Sequence, residues 1–525
     1  MIDKIKAGLK QWMTMMNPPV FFGAGGFVLA LIIIGGIWTD ATERVFSAVL
    51  AFITLYFGWY YILITSAFLV FVTWLYFSPY GKIRLGGPQS RPEFSKPAWL
   101  AMLFAAGMGM GLVFWGVAEP VTHYHNPPTA EAGTMNAMRE SLRYSFFHWG
   151  LHPWAIYIIF GMGIAYFHFR HQLPLAPRSI LYPLIGERIY GPIGHLADIT
   201  CTVGTLLGVS TSLGLGAMQI NSGFESLTGW AYSVEHQLIL IGIITAVATT
   251  STITGVGRGI KYLSITNLLV MLLLLVFMMI VGPTLYQVKI FVTSLGEYVQ
   301  ELPHMSLWLN LERDTEWQSE WTLFYWGWWI SWCPFVGVFL ARISRGRTIR
   351  EFVGHIFVLP PLVTFLWIAA FGGTALHMEQ FSGESIRSIV EENPSMALNA
   401  LLARLPMAQV SQWVALLLIT IFFITSSDSG SLVDDIVTSG GHPNPPAAQR
   451  AFWGISEGAA AATLLAAGGL NALQTASISG GLLQSILVIL CCFSLVKSLR
   501  MDAKKEGVPK LEKLKQEASE KEKAG

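Results

Sequence analysis

The sequence predicts an all-α polytopic membrane protein with twelve transmembrane helices. Of its 525 residues, 53% are hydrophobic and only 12% are charged, whereas soluble domains carry about 25% charged residues. Apolar runs of roughly 20 residues, the length that crosses a bilayer, recur along the chain. Basic and acidic loops alternate between these runs, as expected when successive loops lie on opposite sides of a membrane.

The first apolar run begins close to the N-terminus, after Lys4, Lys6 and Lys10. It is longer than the core of a signal peptide and has no small-residue cleavage site after it, so it is interpreted as an uncleaved span. The second and seventh spans are long enough to require tilt or extension beyond the lipid. The predicted spans are 20–38, 46–77, 98–120, 141–168, 195–222, 237–254, 262–293, 321–343, 352–376, 401–433, 450–470 and 473–497.

The positive-inside rule places both termini in the cytoplasm, which agrees with an even number of spans. The loops expected on the cytoplasmic side carry Lys82, Arg84, Arg91, Lys96, Arg170, Arg178, Arg188, Arg258, Lys261, Arg342, Arg345, Arg347 and Arg350. The alternate loops are acidic and carry Asp40, Glu43, Glu297, Glu301, Glu312, Asp314, Glu316, Glu320, Glu379, Glu384, Glu391 and Glu392.

Two interrupted spans, five apart, predict two repeats of five helices with opposite orientation. The third span contains Gly107, Gly109 and Gly111, and each glycine costs about 1 kcal/mol relative to alanine in a helix. The eighth contains Pro334, which removes a helix hydrogen bond. Broken helices at matching positions of inverted repeats indicate a transporter's midplane site, although small residues also allow close helix packing.

The predicted segments follow from these repeats. They are a cytoplasmic N-terminus (1–19), two peripheral transmembrane helices (20–97), a first five-helix repeat (98–294), a periplasmic amphipathic segment (295–320), a second, inverted five-helix repeat (321–497) and a cytoplasmic tail (498–525). The mixed Lys/Glu tail is expected to be a solvated helix or disordered, with anionic lipid as an alternative contact.

Aromatic residues in the fourth and eighth spans predict a binding site for a cation. Indole and phenol faces attract a quaternary ammonium by about 0.5–2 kcal/mol per ring. Tyr325, Trp328, Trp329 and Trp332 share one helical face, and the fourth-span rings lie deeper than interfacial belt residues normally do. The alternative is that these rings form a belt or simply pack. The candidate rings are Trp149, Trp154, Tyr157, Trp326, Trp328, Trp329 and Trp332.

Hydroxyl groups in the tenth span suggest a site for a hard cation such as sodium, which prefers oxygen ligands. Thr425, Ser426 and Asp428 lie in an otherwise apolar run. Hydrogen bonds from these hydroxyls to backbone carbonyls and a proton relay at Asp428 are alternatives. Thr205 in the fifth span belongs to a second ion site or to interhelical contacts, and Glu119 is expected to be structural.

Sequence features of other protein classes are absent. A net charge of +1 gives no indication of nucleic-acid binding, and the four cysteines and 12 histidines lack disulfide or metal spacing. Neither a P-loop nor a nucleophile–base pair suggests an enzyme, and no acidic ring or filter repeat suggests a channel. The expected partners are therefore membrane lipid, a small onium substrate and a coupling ion, without an organic cofactor.

Four segments together resemble the betaine/carnitine/choline transporter family. They are 107–116 with Glu119 and Pro120, 326–332 with Pro334 and Phe335, 341–347, and 425–429. The resemblance implies the five-plus-five inverted-repeat fold of sodium-coupled amino-acid transporters, which is leucine-transporter-like. It also implies two extra N-terminal helices and a homotrimer.

The resemblance further implies roles for individual residues. Trp149, Trp154 and Tyr157 would form an aromatic box with Trp329, while Trp328 and Trp332 would serve a cytoplasmic-facing site. Sodium would bind the carbonyls of Ala105 and Met108 and the hydroxyls of Thr425 and Ser426. A second sodium would use Thr205 and Phe335, although Val209 stands where a second threonine is expected.

Glycine at position 111 favours a betaine-type substrate, because choline-type members of the family carry an aspartate there. The amides of Gly107, Met108, Gly109, Met110 and Gly111 would receive the substrate carboxylate. No arginine lies between Lys261 and Lys289, unlike in sodium-independent carnitine exchangers. The sequence thus predicts a secondary active transporter in the bacterial cytoplasmic membrane, importing a glycine betaine-type osmoprotectant by sodium-coupled alternating access. The alternative is proton-coupled choline uptake or carnitine/γ-butyrobetaine exchange.

Overall fold

A computed structural model gives the architecture of the protein and describes residues 15–106, 109–254, 257–311, 316–442 and 444–505. Within these ranges the chain is helical, with connecting turns and an isolated β-bridge between Arg84 and Thr348. The predicted N-terminal segment up to residue 14 and the tail from residue 506 lie outside the described residues.

Sixteen main helices follow one another along the described chain. They are α1 (Pro18–Ile37), α2 (Thr39–Phe77), α3 (Lys96–Ala106), α4 (Met110–His125), α5 (Met135–Trp149), α6 (Leu151–His171), α7 (Pro192–Thr228), α8 (Val234–Thr254), α9 (Gly257–Val281), α10 (Thr284–Leu307), α11 (Phe324–Ile343), α12 (Ile349–His377), α13 (Arg387–Glu392), α14 (Ala397–Leu402), α15 (Ala408–Thr438) and α16 (Ala447–Lys505). Shorter segments are 3₁₀ turns at Pro79–Lys82, Pro177–Leu181, Gly186–Tyr190 and Pro394–Met396, α-helical turns at Tyr182–Ile185 and Glu316–Gln318, and π-helical turns at Ser319–Leu323 and Met378–Ser382.

Ten helical stretches of the described chain are long and apolar enough to cross a membrane, with α5 and α6 counted as one stretch. The protein is therefore an all-helical polytopic membrane protein, as the sequence predicts. Two differences explain why ten helices correspond to twelve predicted spans. The third predicted span is divided between α3 and α4, and the predicted eleventh and twelfth spans together form α16.

Helix α16 folds back on itself at Gly468 and Gly469. Its 59 residues would extend far beyond a bilayer core of about 30 Å, since an α-helix rises about 1.5 Å per residue. Gly469 has φ 56°, a conformation that favours glycine. The first arm, 447–467, follows α1, since Phe452 lies against Gly25 and Thr463 against Gly35. The chain then runs along α2 in the opposite direction as a second arm, 470–505, since Gly468 lies near Glu43 and Ser485 contacts Tyr60.

Several predicted spans have different boundaries in the structure, among them the fourth, the seventh and the tenth. The fourth (141–168) is two helices, α5 and α6, separated at Gly150. The seventh (262–293) ends at Val281, because Pro283 cannot donate a helix hydrogen bond and restricts the residue before it. Helix α10 (Thr284–Leu307) follows and crosses the boundary predicted at residue 295. The tenth span (401–433) begins at Ala408.

The predicted interruption of the eighth span at Pro334 is wrong. Helix α11 continues through this proline, and the irregular backbone lies before it, in the π-helical turn Ser319–Leu323. A proline removes one hydrogen bond from a helix, which a helix held by tertiary packing tolerates. Almost every residue of α11 is buried.

Burial divides the helices into a core and a periphery. In the most apolar 18-residue stretch of α1, α8 and α9, a third of the residues or fewer are buried. In the corresponding stretches of α5–α6, of α7 and of α11 with its preceding turns, more than four fifths of the residues are buried. Apolar side chains on the peripheral helices suit contact with lipid. The predicted site residues of the fourth, fifth and eighth spans therefore lie on the helices farthest from lipid.

Candidate functional site

The glycine-rich third span is broken, as predicted. Helix α3 ends at Ala106, α4 begins at Met110, and Gly109 between them is extended with φ −159°. Gly107 and Met108 lie outside the described residues. The first amides of α4 have no carbonyl partner within the helix, and they carry the positive end of the helix dipole.

Aromatic rings from α5 and α11 form a tight cluster in the protein interior. Trp328 and Trp329 stack with centroids 4.8 Å apart at an angle of 14°. Trp149 meets Trp329 edge to face at 4.9 Å, and Tyr325 stacks on Trp329 at 5.7 Å. We call Trp149, Tyr325, Trp328 and Trp329 the aromatic box. All four are buried, so they are not interfacial belt residues.

Two other predicted rings of the fourth span lie at the edge of the box. Tyr157 is 6.4 Å from Trp329, and Trp154 contacts Tyr157 at 5.4 Å. Trp332, which is half-buried, contacts Trp328 at 6.3 Å. These rings extend the aromatic surface on two sides of the box.

Trp326 does not join the box. It stacks on His152 at 5.2 Å and meets Phe147 edge to face at the same distance. Residues two positions apart lie on different sides of a helix, so Trp326 points away from Trp328. The structure therefore gives Trp326 a packing role between α11 and the start of α6.

Gly111 lies directly against the box. A Cβ atom built on Gly111 would collide with Cη2 of Trp328 and would lie 3.2 Å from Cη2 of Trp149. Any side chain at this position would displace the rings. The start of α4 and the aromatic box thus adjoin each other and are the candidate walls of one site.

Glu119, about two turns after Gly111 on α4, holds the box together. Its buried carboxylate accepts hydrogen bonds from Nε1 of Trp149 at 3.0 Å and from the Tyr325 hydroxyl at 2.5 Å. Nδ1 of His148 lies 2.7 Å away. The carbonyl of His148 accepts from Nε1 of Trp329 at 2.9 Å. The expectation that Glu119 is structural agrees with these contacts, which no spacing in the sequence indicated.

Glu119, His123 and His148 also have the composition of a metal site, with their ligand atoms within 4.8 Å of one another. The carboxylate, however, already accepts hydrogen bonds from two aromatic side chains. Nε2 of His148 lies 3.0 Å from the Thr322 hydroxyl. The arrangement is therefore better explained as a hydrogen-bond network that orients the box.

A cavity of about 630 Å³ lies next to the box. Trp115 and Trp321 line it, meet edge to face at 5.2 Å, and each lie 6.4 Å from Tyr325. These two tryptophans therefore separate the cavity from the box. Its polar lining includes Glu320, Arg387, Glu391, Asn471 and Gln474.

The residues predicted for the first sodium site lie on two neighbouring elements. Ala105 is in the last turn of α3, and Met108 lies outside the described residues. Thr425 and Ser426 are half-buried in α15, where the Thr425 hydroxyl donates to the carbonyl of Ile421 at 2.9 Å. A hydroxyl that donates its proton keeps lone pairs for a cation. Met110 and Phe423 both lie against Gly216 of α7, which brings the break close to this part of α15.

The residues predicted for the second sodium site lie where α7 meets α11. The Thr205 hydroxyl is buried and has no hydrogen-bond partner among the described residues. Ser331, one turn before Phe335 on α11, donates to the carbonyl of Gly204 at 2.6 Å. Phe335 is half-buried and contacts Trp332 at 5.1 Å.

Comparison with known proteins gives one consistent answer. The family described as BCCT, betaine/carnitine/choline family transporter, matches residues 19–504. The glycine betaine transporter OpuD of Bacillus subtilis is 45% identical over 498 residues, which cover 94% of this chain and 96% of the relative. A probable glycine betaine transporter of Desulfitobacterium hafniense is 40% identical, covering 92% and 97%. The high-affinity choline transport protein of Escherichia coli is 38% identical, covering 93% and 72%.

Proposed function

The chain belongs to the betaine/carnitine/choline transporter family, and from this premise we propose that it imports a glycine betaine-type zwitterion by sodium-coupled alternating access. Family membership makes it a multi-pass membrane transporter of betaine- or choline-type osmolytes and not an enzyme. The substrate, the coupling ion and the location in a bacterial cytoplasmic membrane belong to the proposal.

The contact between Gly111 and the aromatic box carries the proposal. A quaternary ammonium keeps its charge at every pH and offers only methyl groups, which suit an aromatic environment such as that of Trp328, Trp329 and Trp149. The carboxylate of the same substrate would receive hydrogen bonds from the free amides at the start of α4. One wall then binds the positive head, and the other binds the negative end.

Choline transport is the second candidate, because a relative named for choline is 38% identical to this chain. Choline has a hydroxyl in place of the carboxylate and gains less from the amides of α4. Gly111 offers no side chain to bind that hydroxyl. The zwitterion therefore satisfies both walls of the site, and choline satisfies one.

The proposed topology has twelve crossings with both termini in the cytoplasm. Ten of these crossings correspond to the ten apolar helices, with α16 counted once. The third span, divided between α3 and α4, adds one crossing, and the second arm of α16 adds another. Crossings three to seven and eight to twelve would form the inverted repeats. The homotrimer rests on the family resemblance alone.

Replacing Trp329 with leucine tests the binding site. We expect Trp329→Leu to abolish saturable uptake of labelled glycine betaine into liposomes while membrane insertion stays normal, because the central ring of the box is lost. Trp59→Leu is the matched control, since Trp59 is 55% exposed on α2 and lies away from the box. Equal uptake by wild type and Trp329→Leu would remove the box from the mechanism.

Exchanging the cation tests the coupling. We expect an inward sodium gradient to drive accumulation of glycine betaine and an equal potassium gradient to fail. Uptake that is indifferent to sodium would instead favour proton coupling or exchange of one onium compound for another.

A further inference from the structure

Three buried carboxylates lie apart from the aromatic box, in the last two turns of α15 and in the first arm of α16. Asp434 and Asp435 are on α15 and Glu457 is on α16, and each is at most 1% exposed. None of their six side-chain oxygens has a hydrogen-bond partner among the described residues. Buried polar groups are normally paired, so this concentration of unpaired acceptors requires a ligand or a proton.

The three acids do not share one environment. Arg450 lies close enough to Asp435 to interact with its charge. Asp434 and Glu457 form no ion pair with a cationic group of the described chain. An uncompensated buried charge is among the most costly features of a protein interior. Asp434 and Glu457 are therefore the two acids that lack a counter-charge.

The Glu457 side chain reaches the face of α15 that carries Asp434. Its Oε1 lies 3.1 Å from the position that a Cβ atom would occupy on Gly430. Gly430 and Asp434 are four residues apart and share one face of the helix. The two carboxylates thus face the same gap between α15 and α16.

Helix α8 places two hydroxyls against the turn of α16 that carries Glu457. Thr245 and Thr249 are each 8% exposed, and neither Oγ1 has a partner among the described residues. The Thr249 Oγ1 lies 3.1 Å from the Cβ position of Gly454, and the Thr245 hydroxyl lies against Gly458. In α16, Gly454 lies about one turn before Glu457, and Gly458 directly follows Glu457.

We infer that Asp434, Glu457, Thr245 and Thr249 form a binding site for an alkali-metal cation, with sodium as the preferred ion. Carboxylate and hydroxyl oxygens are the ligands of hard cations. Mg²⁺ gives up its water reluctantly and fits poorly between buried helices. The site is separate from Thr425 and Ser426, because Ser426 and Asp434 are about 12 Å apart along the helix axis.

The inference goes beyond the proposed function, since the cation binds at these acids whether or not substrate is present. The test uses purified full-length protein in lipid nanodiscs without substrate. Equilibrium binding of radiolabelled sodium and the melting temperature are measured against sodium concentration, with N-methyl-D-glucamine holding the ionic strength constant. A ligand that binds the folded state raises the melting temperature with its concentration.

Glu457→Gln keeps the size of the side chain and removes its charge. We expect it to lose one equivalent of bound sodium, or to weaken that equivalent about 10–100-fold, as changes around metal sites do. Thr249→Val removes one hydroxyl without a change of shape. It provides the test of the cation site if Glu457→Gln fails to fold. We expect it to weaken the same equivalent. Glu131→Gln, at an exposed position, should bind sodium as wild type does.

A double variant distinguishes this inference from the proposed sodium coupling. Thr425→Ala with Ser426→Ala should lose sodium-driven uptake while retaining the equivalent that depends on Glu457. The inference is overturned if Glu457→Gln and Thr249→Val both bind sodium with wild-type stoichiometry and affinity. It is also overturned if sodium has no effect on the wild-type melting temperature and only acidification raises it, because the acids would then bind protons.

Discussion

At the scale of single residues, one carboxylate and one glycine decide the geometry of the site. Glu119 fixes Trp149 and Tyr325 through their polar edges, and Tyr325 in turn stacks between His148 and Trp329. Hydrogen bonds to a charged group contribute about 1.5–3 kcal/mol each, enough to hold rings that would otherwise adopt several rotamers. Gly111 allows the start of α4 to approach the ring edges of Trp328 and Trp149.

The first prediction concerns Gly111→Ala. The added methyl group would overlap Cη2 of Trp328 and crowd Trp149, and overpacking typically costs about 1–3 kcal/mol. We expect kcat/KM for glycine betaine uptake to fall about tenfold or more, since 1.4 kcal/mol corresponds to a factor of ten.

Gly26→Ala is the control for this substitution, because no atom lies within 4 Å of its Cβ position on α1. Transport by Gly26→Ala should equal that of wild type. Unchanged kcat/KM in Gly111→Ala would show that the tryptophan rings move freely, and that Gly111 does not shape the site.

The sequence predicted Trp149, Trp328 and Trp329 as site residues, because their depth and helical spacing are visible in the chain. It also included Trp326, which the structure places against His152. Helical periodicity identifies the side of a helix that a residue occupies, but not which neighbour packs there. The role of Glu119 could not be predicted for the same reason, since its partners come from α5 and α11.

At the scale of elements, breaks in helices create the polar groups of the site. The break between α3 and α4 frees amides beside the box. The break at Gly150 lies next to His148 and Trp149, both of which contact Glu119. At this break the amide of Leu151 donates to the Tyr298 hydroxyl of α10 at 2.9 Å, so a residue of another helix replaces the missing helix bond.

The second prediction is that Gly150→Ala destabilises the protein. A Cβ atom at this position would lie 2.5 Å from both the carbonyl oxygen of Phe146 and the hydroxyl of Tyr298. We expect unfolding in detergent to require about 1–3 kcal/mol less free energy than in wild type. Gly242→Ala on α8 is the control, because its Cβ position is empty within 4 Å; a melting temperature equal to that of this control would contradict the prediction.

The helix break at the repeated glycines of the third span could be predicted from the sequence, whereas the helix break at a single glycine could not. The run 107–111 lowers helix propensity over a whole turn, and the helix does end there. Gly150 is an isolated glycine in an apolar run, and tertiary contacts from Tyr298 and Phe365 decide its conformation. Conversely, Pro334 weakens α11 locally, but packing on all sides keeps that helix continuous.

At the scale of the whole molecule, buried ionic contacts join the ends of several helices. Arg178 precedes α7, and its Nε donates to Asp198 of α7 at 2.5 Å. The Arg178 amide donates to the same carboxylate at 2.8 Å. Asp502 near the end of α16 accepts from Tyr166 of α6 at 2.7 Å and pairs with Arg170. These contacts hold the peripheral end of α16 against the core.

The third prediction concerns Asp198→Asn, which leaves the buried Arg178 guanidinium without a counter-charge. Removing one partner of a buried pair costs about 3–5 kcal/mol, and we expect the free energy of unfolding to fall by that amount. Glu391→Gln breaks the pair between Arg387 and Glu391, both about half exposed, and should cost less than about 1 kcal/mol. Denaturant unfolding in detergent measures both, and equal losses would contradict the assignment of Arg178 and Asp198 as a buried pair.

Composition and loop charges sufficed to predict the fold class, since the bilayer sets both the length and the polarity of each span. They also predicted two separate last spans, which correspond to the two arms of α16, but not the conformation of Gly468 and Gly469 at which the chain reverses. The separation into core and peripheral helices also depended on packing. Every long span is apolar in sequence, whether lipid or protein covers it.

The reversal at Gly468 and Gly469 has a consequence for biosynthesis. Only Gly468 and Gly469 separate the two arms, so no polar loop lies between them. Residues 447–467 and 470–505 should therefore leave the insertion machinery together, as a preformed pair. A nascent chain that stalls after residue 467 would present a lone arm bearing Glu457 to the quality-control proteases of the cell.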